Sequence, residues 1–198
     1  EEMRKVFGRL PELPEVTPDL RHAQNLFILM FLLRGLPFVD LAYLRKSDLR
    51  DNVITYRRRK TGRSLSVTLA PEAMVLLRRY MDRNESSPYL FPILSSDEGT
   101  EEAYREYQLA LRSFNQKLML LGKLMGMEGK LSSYTARHTW ATTAYHCEIH
   151  PGIISEAMGH SSITVTETYL KPFHNKKIDE ANKKIVDFVR RSTGWAIV

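Results

Sequence analysis

The sequence predicts a mainly α-helical domain with one small antiparallel β-sheet. Alternation of apolar and polar residues is concentrated in one stretch, residues 53–69, and helix-start signals recur on both sides of it. A chain of 198 residues, 43% of them hydrophobic, is long enough to bury one core as a single domain.

The elements follow in order. A polar lead-in over residues 1–16, carrying Pro11 and Pro14, reads as a linker. Thr17 can cap a helix with Pro18 at its first position, and the apolar stretch after it runs to Arg34-Gly35, where glycine suits a helix stop. The longest apolar run, residues 26–33, is far short of the ~18 residues that suggest a membrane span, so it reads as a buried helix and no membrane partner is expected. Pro37 restarts a helix through Phe38, Leu41 and Leu44. Residues 53–59 and 65–69 read as two strands joined by a turn at Lys60-Thr61-Gly62-Arg63. Pro71 opens a helix toward Met81, and Pro88, Pro92 and the polar residues 95–100 mark a surface loop. A long helix is predicted over residues 101–125, then glycines at 122, 126 and 129, a helix over 134–147, and a short one from Pro151. After Lys171-Pro172, Ile178, Ala181, Ile185 and Phe188 stand at helical spacing within residues 175–191.

The formal net charge of +6 favours an anionic partner, because each Lys or Arg placed on a phosphate releases condensed counterions. A single cysteine, Cys147, excludes an intrachain disulfide and fits a reducing compartment, the cytoplasm by default. No phosphate-binding P-loop, dinucleotide glycine fingerprint or Gly-x-Ser-x-Gly elbow occurs, which disfavours nucleotide-driven enzymes and serine hydrolases. His146 and His150 have chelating spacing, but the intervening glutamate of a zinc protease motif is lacking and Pro151 puts His150 at a helix boundary. No metal and no cofactor is expected.

Two short segments carry chemistry. Tyr134-Thr135-Ala136-Arg137-His138 places Tyr134, Arg137 and His138 on roughly one helical face. Downstream, Met158-Gly159-His160 is followed by Tyr169 nine residues after the histidine. A tyrosine with an ordinary pKa near ~10 becomes a phosphoryl nucleophile only beside cations that stabilise phenolate and transition state. Arginine suits this best, since its planar fork grips two phosphate oxygens. A glycine before the histidine permits the backbone angles that turn an imidazole into a site.

This order of arginine, Gly-His and late tyrosine resembles the tyrosine recombinase, or phage integrase, family, and within it the integrases of conjugative elements and transposons. The resemblance implies the family's catalytic-domain fold over residues 19–198, with residues 1–18 a linker from an absent N-terminal DNA-binding domain, in keeping with a first residue that is Glu rather than Met. It makes Tyr169 the nucleophile, with Arg137 and His160 on the phosphate and Lys60, at the hairpin tip, the general acid. Tyr134 stands where the family usually has histidine or lysine. Pro37 stands where the family's first arginine is expected, so Arg34 is carried over in its place, with Arg45 a second substitute. Arg57, Arg59, Arg63 and His138 are the expected DNA-backbone contacts.

The implied activity is site-specific recombination, by integration, excision or inversion, through a 3'-phosphotyrosyl intermediate. Double-stranded DNA at recombination sites is the implied partner, bound by a homotetramer that is monomeric without DNA, with accessory DNA-bending proteins and a nucleoid-associated location. The segment after Pro172 is expected to pack onto a neighbouring protomer. Two other readings stay open: strand relaxation resembling that of type IB topoisomerases, and a DNA-binding relative that has lost cleavage.

Overall fold

The computed structural model describes residues 2–8, 16–170 and 175–193. The two prolines of the lead-in, Pro11 and Pro14, and the break at Lys171-Pro172 lie outside the described residues. The lead-in differs from a plain linker. Residues Glu2–Phe7 form a short helix, α1, whose Val6 is buried in the core, with the Val6 carbonyl accepting from Gln24 Nε2 at 2.7 Å. Phe7 adds a second apolar contact, its ring edge-on to Phe31 at 4.8 Å, and charged neighbours and nearby prolines hid the pair.

Helix α2 (Pro18–Leu32) begins as expected: Thr17 Oγ1 accepts from Leu20 N at 3.3 Å, and Pro18 brings its fixed φ to the first position. It ends in two consecutive left-handed residues, Arg34 (φ 59°) and Gly35 (φ 68°), and Leu36 N donates back to Met30 O at 2.9 Å. Buried Leu20, Phe27, Leu29 and Met30 make α2 the central helix of the main core. Helix α3 (Phe38–Tyr43) follows Pro37.

The sheet is antiparallel and three-stranded, in the order β1 (Leu49–Arg50), β2 (Val53–Arg57), β3 (Ser64–Thr68). The hairpin pairs Val53 with Thr68 and Arg57 with Ser64, so Ile54, Tyr56 and Val67 face the core. Strand β1 is two residues long, too short for an alternation pattern to announce it.

Helix α4 (Pro71–Tyr80) leads into a loop, part of which the Glu106 carboxylate holds through the backbone and hydroxyl groups of Ser95 and Ser96; these bonds lower its pKa to about 2. The 24-residue α5 (Glu101–Leu124) starts at Thr100, whose hydroxyl accepts from Ala103 N at 3.2 Å. Helix α2 packs against α4, α5 and α6 (Ser133–His146). Asn115 Oδ1 on α5 accepts from Ser133 N at 2.8 Å, which fixes the start of α6 and hence Tyr134. A second, smaller core gathers Ala141, Ile154, Met158 and Tyr169 from α6, α7 (Pro151–Met158) and the turn after α8 (Ile163–Glu167). Helix α9 (Asn175–Thr193) closes the described chain with Ile178, Ile185 and Phe188 exposed. Among the described residues no helix is long and apolar enough to cross a membrane.

Candidate active site

A cavity of about 300 Å³ opens between α3, the hairpin tip, α6 and the segment from His160 to Tyr169. Arg58, Lys60, Tyr134, Arg137, His160 and Tyr169 line it together, although they come from sequence positions more than a hundred residues apart.

Arg137 is buried on α6 and fastened at two points. Nη1 donates to Gly35 O at 3.0 Å and Nη2 to Met158 O at 2.8 Å, carbonyls just past the end of α2 and at the end of α7, where helix termini carry partial negative charge. Gly35 makes this approach possible, since a Cβ there would lie 2.8 Å from Arg137 Cα. Burial, and then the charge of Arg58, lower the Arg137 pKa from its ordinary value.

Gly159 caps α7 in the left-handed region (φ 65°), and His160 N donates to Ser155 O at 3.0 Å. The turn presses on the hairpin so closely that a Cβ at Gly159 would meet Leu65 Cδ1 at 2.9 Å and Arg58 Cγ at 3.0 Å. Thr61 Oγ1 donates to Gly159 O at 3.1 Å and Arg63 Nη1 to His160 O at 2.5 Å, so the hairpin tip and the histidine turn are latched to each other. The buried His160 ring has Nδ1 2.7 Å from Thr166 Oγ1. Burial first, then Arg137, Arg58 and Lys60, push its pKa down to about 4, so the imidazole is neutral at pH 7.

Tyr169 follows α8 and is 8% exposed. Its ring stacks on His160 at a centroid distance of 5.6 Å and an interplanar angle of 11°. Its phenol oxygen is hydrogen-bonded to that of Tyr134, whose pKa burial and this contact raise to about 12. His138 flanks the Tyr169 ring at 5.6 Å but is itself exposed.

The remaining expected residues divide. Lys60 is exposed at the rim of the cavity. Arg57 faces solvent on β2. Arg59 lies over the Tyr43 ring, with Cζ 3.7 Å from the centroid, and pairs with Glu98 at 2.5 Å. Arg34 does not join the cavity: its Nη1 donates to Ser66 O at 3.2 Å, because the left-handed turn at the end of α2 sends the side chain along β3. Arg45 is likewise engaged elsewhere, with Glu98 at 2.8 Å. His150 Nδ1 caps α7 by accepting from Gly152 N at 3.0 Å. The buried cavity residue that sequence reasoning missed is Arg58, paired with the buried Asp40. The signal existed: Ile54 and Tyr56 are the apolar members of a period-two pattern, and Arg58 is the next in step.

A domain that gathers a tyrosine, arginines, a neutral histidine and a lysine around one basic hollow has the equipment of a phosphoryl-transfer enzyme. Residues 11–176 match the phage integrase family, and the chain belongs to that family. It is 26% identical over 163 residues to the tyrosine recombinase XerA of Pyrococcus furiosus, an overlap of 81% of this chain and 54% of that protein. With the tyrosine recombinase XerC of Leptospira interrogans it shares 28% identity over 126 residues, 63% of this chain and 38% of the relative. The chain thus spans about half the length of the XerA relative. Among solved structures it is similar in fold to XerA recombinase (TM-score 0.55, 21% identity, 88% of this chain and 66% of that one). It is also similar to XerH site-specific recombinase bound to its difH substrate before cleavage (TM-score 0.61, 19% identity, 91% and 52%).

Proposed function

We propose that this chain is the catalytic domain of a site-specific tyrosine recombinase that cleaves and rejoins DNA through a 3'-phosphotyrosyl intermediate. The observation that carries the reading is the convergence of Tyr169, Arg137, His160 and Lys60 on one cavity. Tyr169 Oη attacks the scissile phosphorus, the new P–O bond forms as the bond to the 5'-oxygen breaks, and the tyrosine becomes esterified. The phenol proton leaves to water or through the Tyr134 hydroxyl, and Lys60 delivers a proton to the departing 5'-oxygen.

Arg137, whose anchors are neutral carbonyls, keeps its full positive charge for the phosphate oxygens. His160 Nδ1 is hydrogen-bonded to Thr166 Oγ1; in the tautomer in which that hydroxyl donates, the neutral ring carries its hydrogen on Nε2 and offers it to the phosphate. Rejoining reverses these steps with a 5'-hydroxyl from a partner strand, and the phosphotyrosyl bond conserves the energy of the broken linkage.

Arg57 and His138 are exposed on elements bordering the site, which supports them as DNA contacts, and Arg59 and Arg63 could reach DNA only by sharing or leaving their present partners. Strand exchange in pairs calls for a homotetramer on DNA formed from monomers, with DNA-bending accessory proteins and a nucleoid location following from the same reading.

The test is trapping on nicked duplexes that carry the ends of the genetic element encoding the chain, where loss of a short strand makes cleavage irreversible. A covalent protein-DNA adduct formed by the unsubstituted chain and absent for Tyr169→Phe is the expected result. An adduct that persists in Tyr169→Phe moves the nucleophile to Tyr134. DNA binding without any adduct favours the cleavage-deficient reading, and relaxation of supercoils without recombinant product favours the topoisomerase one.

A further inference from the structure

Arg58 is the charged cavity residue that the roles above leave unused. It extends the inward parity of Ile54 and Tyr56 beyond the end of β2 and is only 5% exposed. Its Nη1 is ion-paired with Asp40, which is 2% exposed and whose other oxygen accepts from Arg59 N at 2.9 Å. One side of the guanidinium is therefore fixed. Its Nε is buried without a hydrogen-bond partner, an uncommon condition for a charged donor in a folded protein.

The electrostatics of the cavity point the same way. Arg58, Arg137 and Lys60 all line it, and among the described lining residues none is acidic. Among the described residues Asp40, behind Arg58, is the one carboxylate ion-paired with this group, while Arg137 is hydrogen-bonded to neutral carbonyls. Two buried guanidiniums facing one hollow repel each other, and a bound anion removes that repulsion. The relief is greatest where negative charge is densest, on the pentavalent phosphoryl transition state.

We propose that Arg58 is a second phosphate-gripping catalytic residue and that Asp40 is the positioning residue that holds it, while Arg34 takes no part in contacting the phosphate. This rests on Tyr169 being the nucleophile of a DNA-cleaving site. Arg58 would donate from its free edge to one nonbridging oxygen as Arg137 addresses the other.

The experiment is single-turnover cleavage of nicked duplexes carrying either the native phosphodiester or a methylphosphonate at the scissile position. The methyl group removes the charge that a guanidinium would neutralise. Arg58→Met combined with Asp40→Asn takes out both buried charges together, a change that folds generally tolerate, and its unfolding midpoint is recorded alongside.

The double variant is expected to cleave the native duplex roughly 10²–10³-fold more slowly and the methylphosphonate duplex at a rate comparable to the unsubstituted chain. Asp40→Asn alone is expected to show a smaller loss with the same rescue. An equal loss on both substrates would mean that Arg58 only supports the fold, and would overturn the proposal. Methylphosphonate rescue of Arg34→Ala instead would assign the second guanidinium to Arg34 and overturn it equally. If the unsubstituted chain forms no adduct on the native duplex, the nucleophile reading itself fails, and this inference with it.

Discussion

Tyr134 and Tyr169 meet through their phenol oxygens, so the candidate nucleophile rests against a second tyrosine. Tyr134 is a poor base, since its pKa is raised to about 12, but it can stabilise a developing phenolate as a donor. Tyr134→Phe removes one hydrogen bond, about 1 kcal/mol, and is expected to slow single-turnover cleavage roughly fivefold while the adduct stays on Tyr169. Mass spectrometry of the phosphotyrosyl peptide checks the site; an adduct abolished by Tyr134→Phe would reverse the two roles.

The depressed His160 pKa has a consequence for stability. The unfolded chain binds a proton at this residue below its ordinary 6.5, whereas the folded chain binds one only below about 4. Between these values the unfolded state holds more protons, so stability falls as pH drops through that window and is unaffected by His160 above it. Urea midpoints measured from pH 7.5 to 4 should therefore decline more steeply for the native chain than for His160→Gln. Parallel slopes would show that the ring is not held neutral.

Two glycines should differ in their tolerance of a methyl group. Both have positive φ, which already disfavours alanine by about 1–2 kcal/mol. At Gly35 the added Cβ meets the Arg137 backbone at 2.8 Å, which cannot yield; at Gly159 the nearest atoms are the side-chain tip of Leu65 and the stem of Arg58. Thermal unfolding is expected to show Gly35→Ala as the more damaging change. Gly159→Ala should spare more stability yet slow cleavage, because it pushes on Arg58.

Arg57 and Arg63 separate affinity from catalysis. Exposed Arg57 is expected to contribute through phosphate contact alone, so Arg57→Ala should lower the slope of log affinity against log salt by about 0.9 and leave the rate at saturating DNA unchanged. Arg63→Ala breaks the latch to the His160 carbonyl and is expected to slow cleavage even at saturation. A salt titration and a single-turnover assay on the same proteins distinguish the two.

Much of this molecule was legible in the chain because its signals are local. Thr17-Pro18, Pro71 and Pro151 each start the helix they announce, and the alternation around Lys60-Thr61-Gly62-Arg63 is a hairpin. Arg137, His160 and Tyr169 were readable from short spacings, and the structure brings them to one cavity. Arg58 was obscured because it sits among Arg57, Arg59 and Lys60, where composition looks uniform and only strand parity tells inside from outside. Asp40 was passed over in an apolar helix, although a lone carboxylate between Val39 and Leu41 asks for a buried partner. Arg34 lies outside the cavity, and the direction of its side chain depends on the left-handed turn it occupies, which no spacing encodes.

The anchoring of Arg137 by carbonyls of Gly35 and Met158 ties the readiness of the site to the completeness of the fold. Those two acceptors come from segments 102 and 21 residues away in sequence. A half-made or partly unraveled copy has no site in which the guanidinium is poised. Under the proposed function, cleavage competence is therefore tied to long-range closure of the domain, and accuracy of folding acts as a safety catch.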